Sequence, residues 1–160
     1  WRGRRFESCQ AHHGIMRKRY IALIFIASAL AALAFVVFTA NKPIKLNLEK
    51  VEIADSPEEM EKGYMGRTDI CDKCGMLFVF GSPQQVSFWM KDTPTSLDIV
   101  MMKSDGTITD IYRSTEPNSE KMLPSSSDKV AYVLEVKSGG ASNLSIGQRI
   151  DIDQLKSTSR

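Results

Sequence analysis

The sequence predicts a mainly β domain with two short helices, sandwich or barrel-like and mostly antiparallel, preceded by one transmembrane helix. Three observations carry this. Short apolar runs alternate with polar residues at a period of two and are bounded by Gly, Pro, Asp and Ser clusters after residue 43. A single capping signal, Ser56-Pro57-Glu58-Glu59, interrupts them. Ahead of them lies Ile21–Ala40, 20 residues without a charge, Pro or Gly. As a helix that run would span roughly 30 Å, the thickness of a bilayer's hydrocarbon core.

The N-terminus sets the location. Residues 1–20 carry a net +5, residues 21–40 no charge, and residues 41–160 a net −3. Arg17, Lys18 and Arg19 stand directly before the apolar run, so the positive-inside rule places residues 1–20 in the cytoplasm and the C-terminal domain outside. The lipid bilayer is therefore the expected partner of residues 21–40. A retained anchor is favoured over a cleaved signal peptide. The run exceeds a usual signal h-region, and a cut after Ala40 would put bulky Phe38 at the −3 position. Cleavage would make the domain secreted. Residues 1–15, with Cys9, His12 and His13, read as an extension upstream of a start at Met16. The acidic body excludes a net-positive field for nucleic acid.

Residues 41–50 form a short linker and first strand, 51–152 the β domain and 153–160 a tail. Ile44, Leu46 and Leu48 alternate with polar residues, and Val51 and Ile53 continue the pattern after a phase change. A short helix starts at Pro57 and ends near Gly63. Gly75–Phe80 is a continuous apolar run, the mark of a buried strand. Val86, Phe88 and Met90 alternate with Ser87, Trp89 and Lys91 in the next. Leu97–Lys103 and Thr107–Arg113 flank Ser104-Asp105-Gly106, a hairpin in which Gly106 supplies a positive φ. Ser114–Asp128 reads as a long loop and Lys129–Lys137 as the clearest late strand. A helical turn follows over Ala141–Leu144, and Ile146–Ile152 resembles a closing strand.

The ordered series Gly63-Tyr64-Met65-Gly66-Arg67, Gly75-Met76-Leu77-Phe78-Val79-Phe80, Phe88-Trp89-Met90-Lys91-Asp92-Thr93 and Leu97-Asp98-Ile99 is specific. With Tyr132-Val133-Leu134-Glu135-Val136 and Gly147-Gln148-Arg149-Ile150 after it, the chain resembles the domain of unknown function 192 family over roughly Val51 to Ile152. The resemblance implies a compact β domain, often secreted or membrane-tethered, and no established reaction. Where that family often has Asn after Trp-Met-Lys, this chain has Asp92. The Cys71-Asp72-Lys73-Cys74 insert is outside what the family informs.

Chemistry is narrowed by elimination. Both histidines precede the apolar run, so residues 41–160 cannot assemble a Ser-His-Asp triad, a Cys-His pair or a His-based zinc site. No cofactor and no metal are expected. Cys71 and Cys74 read as a local disulfide or a reduced pair tightening the loop before Gly75, with a thiol-redox motif and a zinc site as alternatives. Trp89 and Lys91 share a strand face and form a ligand platform, or else Trp89 caps the core with Lys91 laid over it. Asp98 and Glu135 are carboxylates inside apolar strands. They either face solvent or converge with Arg67 and Lys91 in a polar pocket. The favoured function is a ligand- or partner-binding module at the cell envelope, a glycan being one such ligand, rather than an enzyme. The first alternative is a carboxylate-dependent hydrolase of envelope glycans, which needs two converging acids. The second is a CxxC thiol-redox protein.

Overall fold

The computed structural model describes residues 20–21, 23–35 and 42–159. The chain divides into two units, Trp1–Lys42 and Pro43–Arg160. In the first unit the described residues 20–21 and 23–35 are helical and exposed throughout. Ser28 in it donates to the Phe25 carbonyl at 2.9 Å. Among the described residues no helix is long and apolar enough to cross a membrane. The expected anchor includes residue 22 and residues 36–40, which lie outside the described residues, as do the basic segment 1–19 with its histidines and Met16.

The second unit is built on an open five-stranded sheet. Its strands are β1 (Lys50–Ala54), β2 (Cys74–Gln84), β4 (Leu97–Met102), β5 (Ile108–Tyr112) and β7 (Val130–Lys137). A separate two-stranded ribbon pairs β3 (Ser87–Phe88) with β6 (Leu123–Pro124). The spatial order is β1-β2-β7-β4-β5. Pairing is antiparallel except between β1 and β2, which run parallel with Glu52 opposite Met76. The mainly β, mostly antiparallel expectation holds, while the sandwich or barrel-like arrangement is corrected: the sheet is open and mixed. The parallel pair follows from helix α1 (Pro57–Lys62), which carries the chain from the end of β1 back to the start of β2.

Both faces of the sheet are covered, which gives three layers. Leu77, Val100, Met102, Leu134 and Val136 face one core, closed by Ile44, Leu46, Ala141, Leu144 and Ile150 with helix α2 (Ile152–Ser157). Met76, Phe78, Ile99, Met101 and Val133 face the other, closed by Tyr64, Ile70, Val86, Met90 and Leu123.

Most local expectations hold. Ser56 accepts from the Glu59 amide while the Glu59 carboxylate accepts from the Ser56 amide, and Gly63 ends the helix at φ +45°. Gly106 takes φ +82° in the hairpin, where a Cβ would run into the Ile150 carbonyl. Val86 and Met90 are buried and Trp89 is 40 % exposed, although the strand expected over Val86–Lys91 is only Ser87–Phe88.

Three expectations are corrected. Residues 44–48 are extended but form no strand beyond a bridge at Ile44. The Leu46 peptide is taken at both ends by the Gln154 amide, 3.1 Å each way, so it has no ladder to join. Ile146–Ile152 is bridged only at Arg149 and Ile150 before it enters α2. There Asp151 caps the Gln154 amide at 3.0 Å and Ile152 and Leu155 turn inward. Ala141–Leu144 is a hydrogen-bonded turn, so the second short helix is α2 instead.

Candidate functional site

Glu135 lies in β7, the middle strand of the sheet, flanked in register by Met76 and Ile99. Its side chain shares a face with Val133 and so enters the core layer beneath α1. It is 5 % exposed. Burial pushes its carboxyl up from 4.5 to about 8, and no hydrogen bond or opposite charge offsets that burial. The group is therefore a neutral carboxylic acid at pH 7. Gly63 lies against it: a Cβ there would be in ordinary contact, 3.8 Å from Glu135 Oε2 and 3.4 Å from Phe78 Cζ.

Tyr64, the residue after that helix-ending glycine, is 1 % exposed, and its hydroxyl bonds to no protein group. Desolvation raises its phenol well above the ordinary value, with the nearby Glu52 and Glu135 acting in the same direction. Its ring is held by Arg67, whose guanidinium carbon stands 4.8 Å from the ring centroid. Arg67 is fixed in turn by a two-pronged pair with Glu52, at 2.7 and 3.1 Å, which lowers the Glu52 carboxyl below its usual range.

Glu135 and Tyr64 line a recess of about 30 Å³ together with Phe78, Phe88, Trp89 and Thr93. A groove of about 470 Å³ adjoins it, sharing Met60, Glu61, Phe78, Phe88 and Trp89 and extending to Phe80, Gln84, Val86 and Met122. Phe78 and Phe88 meet edge to face, with ring centroids 5.0 Å apart. Lys91 Nζ lies 5.2 Å from the Trp89 ring centroid. The groove volume falls in the range of small-molecule sites, and its mostly apolar walls end on two polar groups, as such sites commonly do.

The five residues singled out as a ligand site divide cleanly. Trp89 and Glu135 line one recess, Arg67 braces the Tyr64 that lines it with them, and Lys91 covers Trp89. Asp98 stands apart. It is opposite Val136, one residue out of phase with the Ile99–Glu135 pair, so it points to the other face of the sheet. There it accepts from the Ser114, Gly139 and Ala141 amides at 2.8, 3.0 and 3.0 Å, tying the β5 exit to the turn after β7. Arg67 therefore pairs with Glu52 and not with Asp98. Asp98 and Glu135, on opposite faces, cannot flank one glycosidic bond together.

Cys71 and Cys74 are bonded to one another. Cys74 opens strand β2, so the helix N-terminus that activates a thioredoxin-type thiol is not at this motif. Among the described residues no group of three or more His, Cys, Asp or Glu is placed to hold a metal ion.

Sequence reasoning missed Gly63, Tyr64 and the Phe78–Phe88 pair as site residues. Their signal was the Gly-Tyr step directly after a capped helix, a glycine stop followed by a large ring that must turn inward.

Comparison with known proteins is consistent with this architecture. No curated protein matches the chain. A Sinorhizobium meliloti 1021 protein proposed to be a transcription regulator is 40 % identical, with a TM-score of 0.59 over 62 % of this chain and 78 % of that one. A Novosphingobium aromaticivorans DSM 12444 protein of unknown function is 31 % identical, with a TM-score of 0.60 over 63 % of this chain and 73 % of that one. Residues 36–152 match DUF192, described as an uncharacterized ACR, and span the recess, the groove and every strand. The chain belongs to the DUF192 family.

Proposed function

We propose that the C-terminal unit is a binding module for a small, largely apolar molecule that lies in the groove beside α1 and places a polar end in the Glu135–Tyr64 recess. The observation that carries this is the buried Tyr64 hydroxyl without a protein partner, set with the unpaired Glu135 carboxyl at the end of an aromatic-walled groove. Leaving a polar group buried and unpaired costs about 1–3 kcal/mol, and a ligand's polar end would recover that. Met60, Phe80, Val86 and Met122 suit an apolar body better than a glycan. Ligand-observed NMR with 2-phenylethanol tests it. The full chain should bind this probe with a millimolar Kd, and Trp89→Ala should weaken it about tenfold with the fold intact. Binding by neither form, or equal binding by both, would overturn the reading.

The same proposal places the module outside a membrane, tethered by residues 21–40. Support comes from Arg17–Arg19 before an uncharged run and from a helix that exposes Leu23, Ile24, Phe25, Leu30 and Leu33 at once. Protease added to intact cells should digest the C-terminal domain; full protection would reverse the orientation.

A further inference from the structure

We infer that the ligand of this groove is a primary amine on an apolar or aromatic body, its ammonium seated in the recess against Glu135. The inference rests on the binding reading above and adds the chemistry of the polar end. Four aromatic residues, Tyr64, Phe78, Phe88 and Trp89, line the recess with one carboxyl. Aromatic faces are electron-rich: they attract a cation and repel the partial negative charge of a carbonyl oxygen. The recess, about 30 Å³, has room for a small polar head.

The other groups facing Glu135 are compatible with this. Helix α1 contributes Glu61 and Lys62 at the rim and the following loop contributes Tyr64, while the flanking strands present Met76 and Ile99. Arg67 lies over the Tyr64 ring and Lys91 over the Trp89 ring, and neither they nor Lys62 pairs with Glu135. In the free protein the carboxyl holds its proton. An ammonium placed against it favours the carboxylate, so the Glu135 proton passes to solvent as the ion pair forms: acid plus ammonium gives carboxylate–ammonium pair plus one hydrated proton.

Calorimetry on the full chain in a non-ionic detergent at pH 7 tests this, with 2-phenylethylamine and 2-phenylethanol as probes. The amine should bind about tenfold tighter than the alcohol and release about one proton, read from the heat in two buffers of different ionisation enthalpy. Glu135→Gln should lose the preference for the amine and keep alcohol binding. The proton count needs no variant, so it stands whether or not that substitution folds. Equal affinities with no proton release would overturn the amine inference and leave the groove reading in place. Failure of both probes would remove both.

Discussion

Replacing Glu135 by Gln should make the domain more stable at pH 8 and change it little at pH 5. The Glu135 carboxyl moves from 4.5 to about 8 on burial. Between those values the folded chain holds a proton that the unfolded chain has lost. Stability from this group is therefore fully present below 4.5 and falls as pH rises through about 8. At about 1.4 kcal/mol per pH unit, the loss reaches roughly 3 kcal/mol by pH 7 and levels off at roughly 4–5 kcal/mol above pH 8. Gln keeps the shape and carries no charge, so the variant should be free of the slope. Glu52, Glu59, Asp72 and Asp105 are all shifted down, so their contributions are lost only in acid, outside this window. Tyr64 and Tyr112 are shifted up and titrate above it. Urea denaturation of both proteins at pH 5, 6, 7 and 8 gives the comparison. A difference between them that stays constant with pH would refute the argument, because it would mean that Glu135 is ionised in the folded protein.

Asp98→Ala should cost about 3–5 kcal/mol, because it orphans three amides that the carboxylate now receives at one buried point; denaturation at pH 7 measures it, and a loss below 1 kcal/mol would deny the side chain its structural role. Asp92 sits at φ +52° with its carbonyl accepting from the Gly66 amide at 2.7 Å. Asn, the residue common at this place in the family, should be neutral there, while Val should cost about 1–2 kcal/mol of stability, read as a lowered melting midpoint. Replacing Cys71 and Cys74 together by Ser should cost about 2 kcal/mol and keep the fold. The turn retains the Cys74 amide bond to the Cys71 carbonyl and the Lys137–Asp72 pair, and loss of near-UV circular dichroism in the double variant would show the bond to be essential.

What could be read from the residues was whatever a local signal specified. The Ser56 capping box, the Gly106 turn, the Gly75–Phe80 run and the inward Val86 and Met90 depend on near neighbours, and the structure has them as expected. Residues 44–48 and 146–152 carried a true strand alternation, but their hydrogen bonds go to Gln154, to residues 106–108 and to one another, 108 residues away in the case of Leu46. Period alone does not say where a ladder partner is. The same limit blurred the site. Asp98 and Glu135 look alike in sequence, each a carboxylate between apolar neighbours. A strand covered on both faces has no solvated side, so each acid had to be buried, and only the β4–β7 register reveals that they point apart. Asp98 met three amides; Glu135 met none.

The most direct measurement of the central claim is where a bound probe sits. In a titration of the full chain with 2-phenylethylamine followed by nitrogen–proton NMR, the Trp89 indole and the Gly63, Tyr64, Phe88 and Glu135 amides should shift together and saturate at one Kd, since these residues surround the recess. Shifts clustered instead on the opposite face, at the Asp98, Ser114 and Ala141 amides, or a spectrum unchanged to saturation of the solvent with probe, would contradict it.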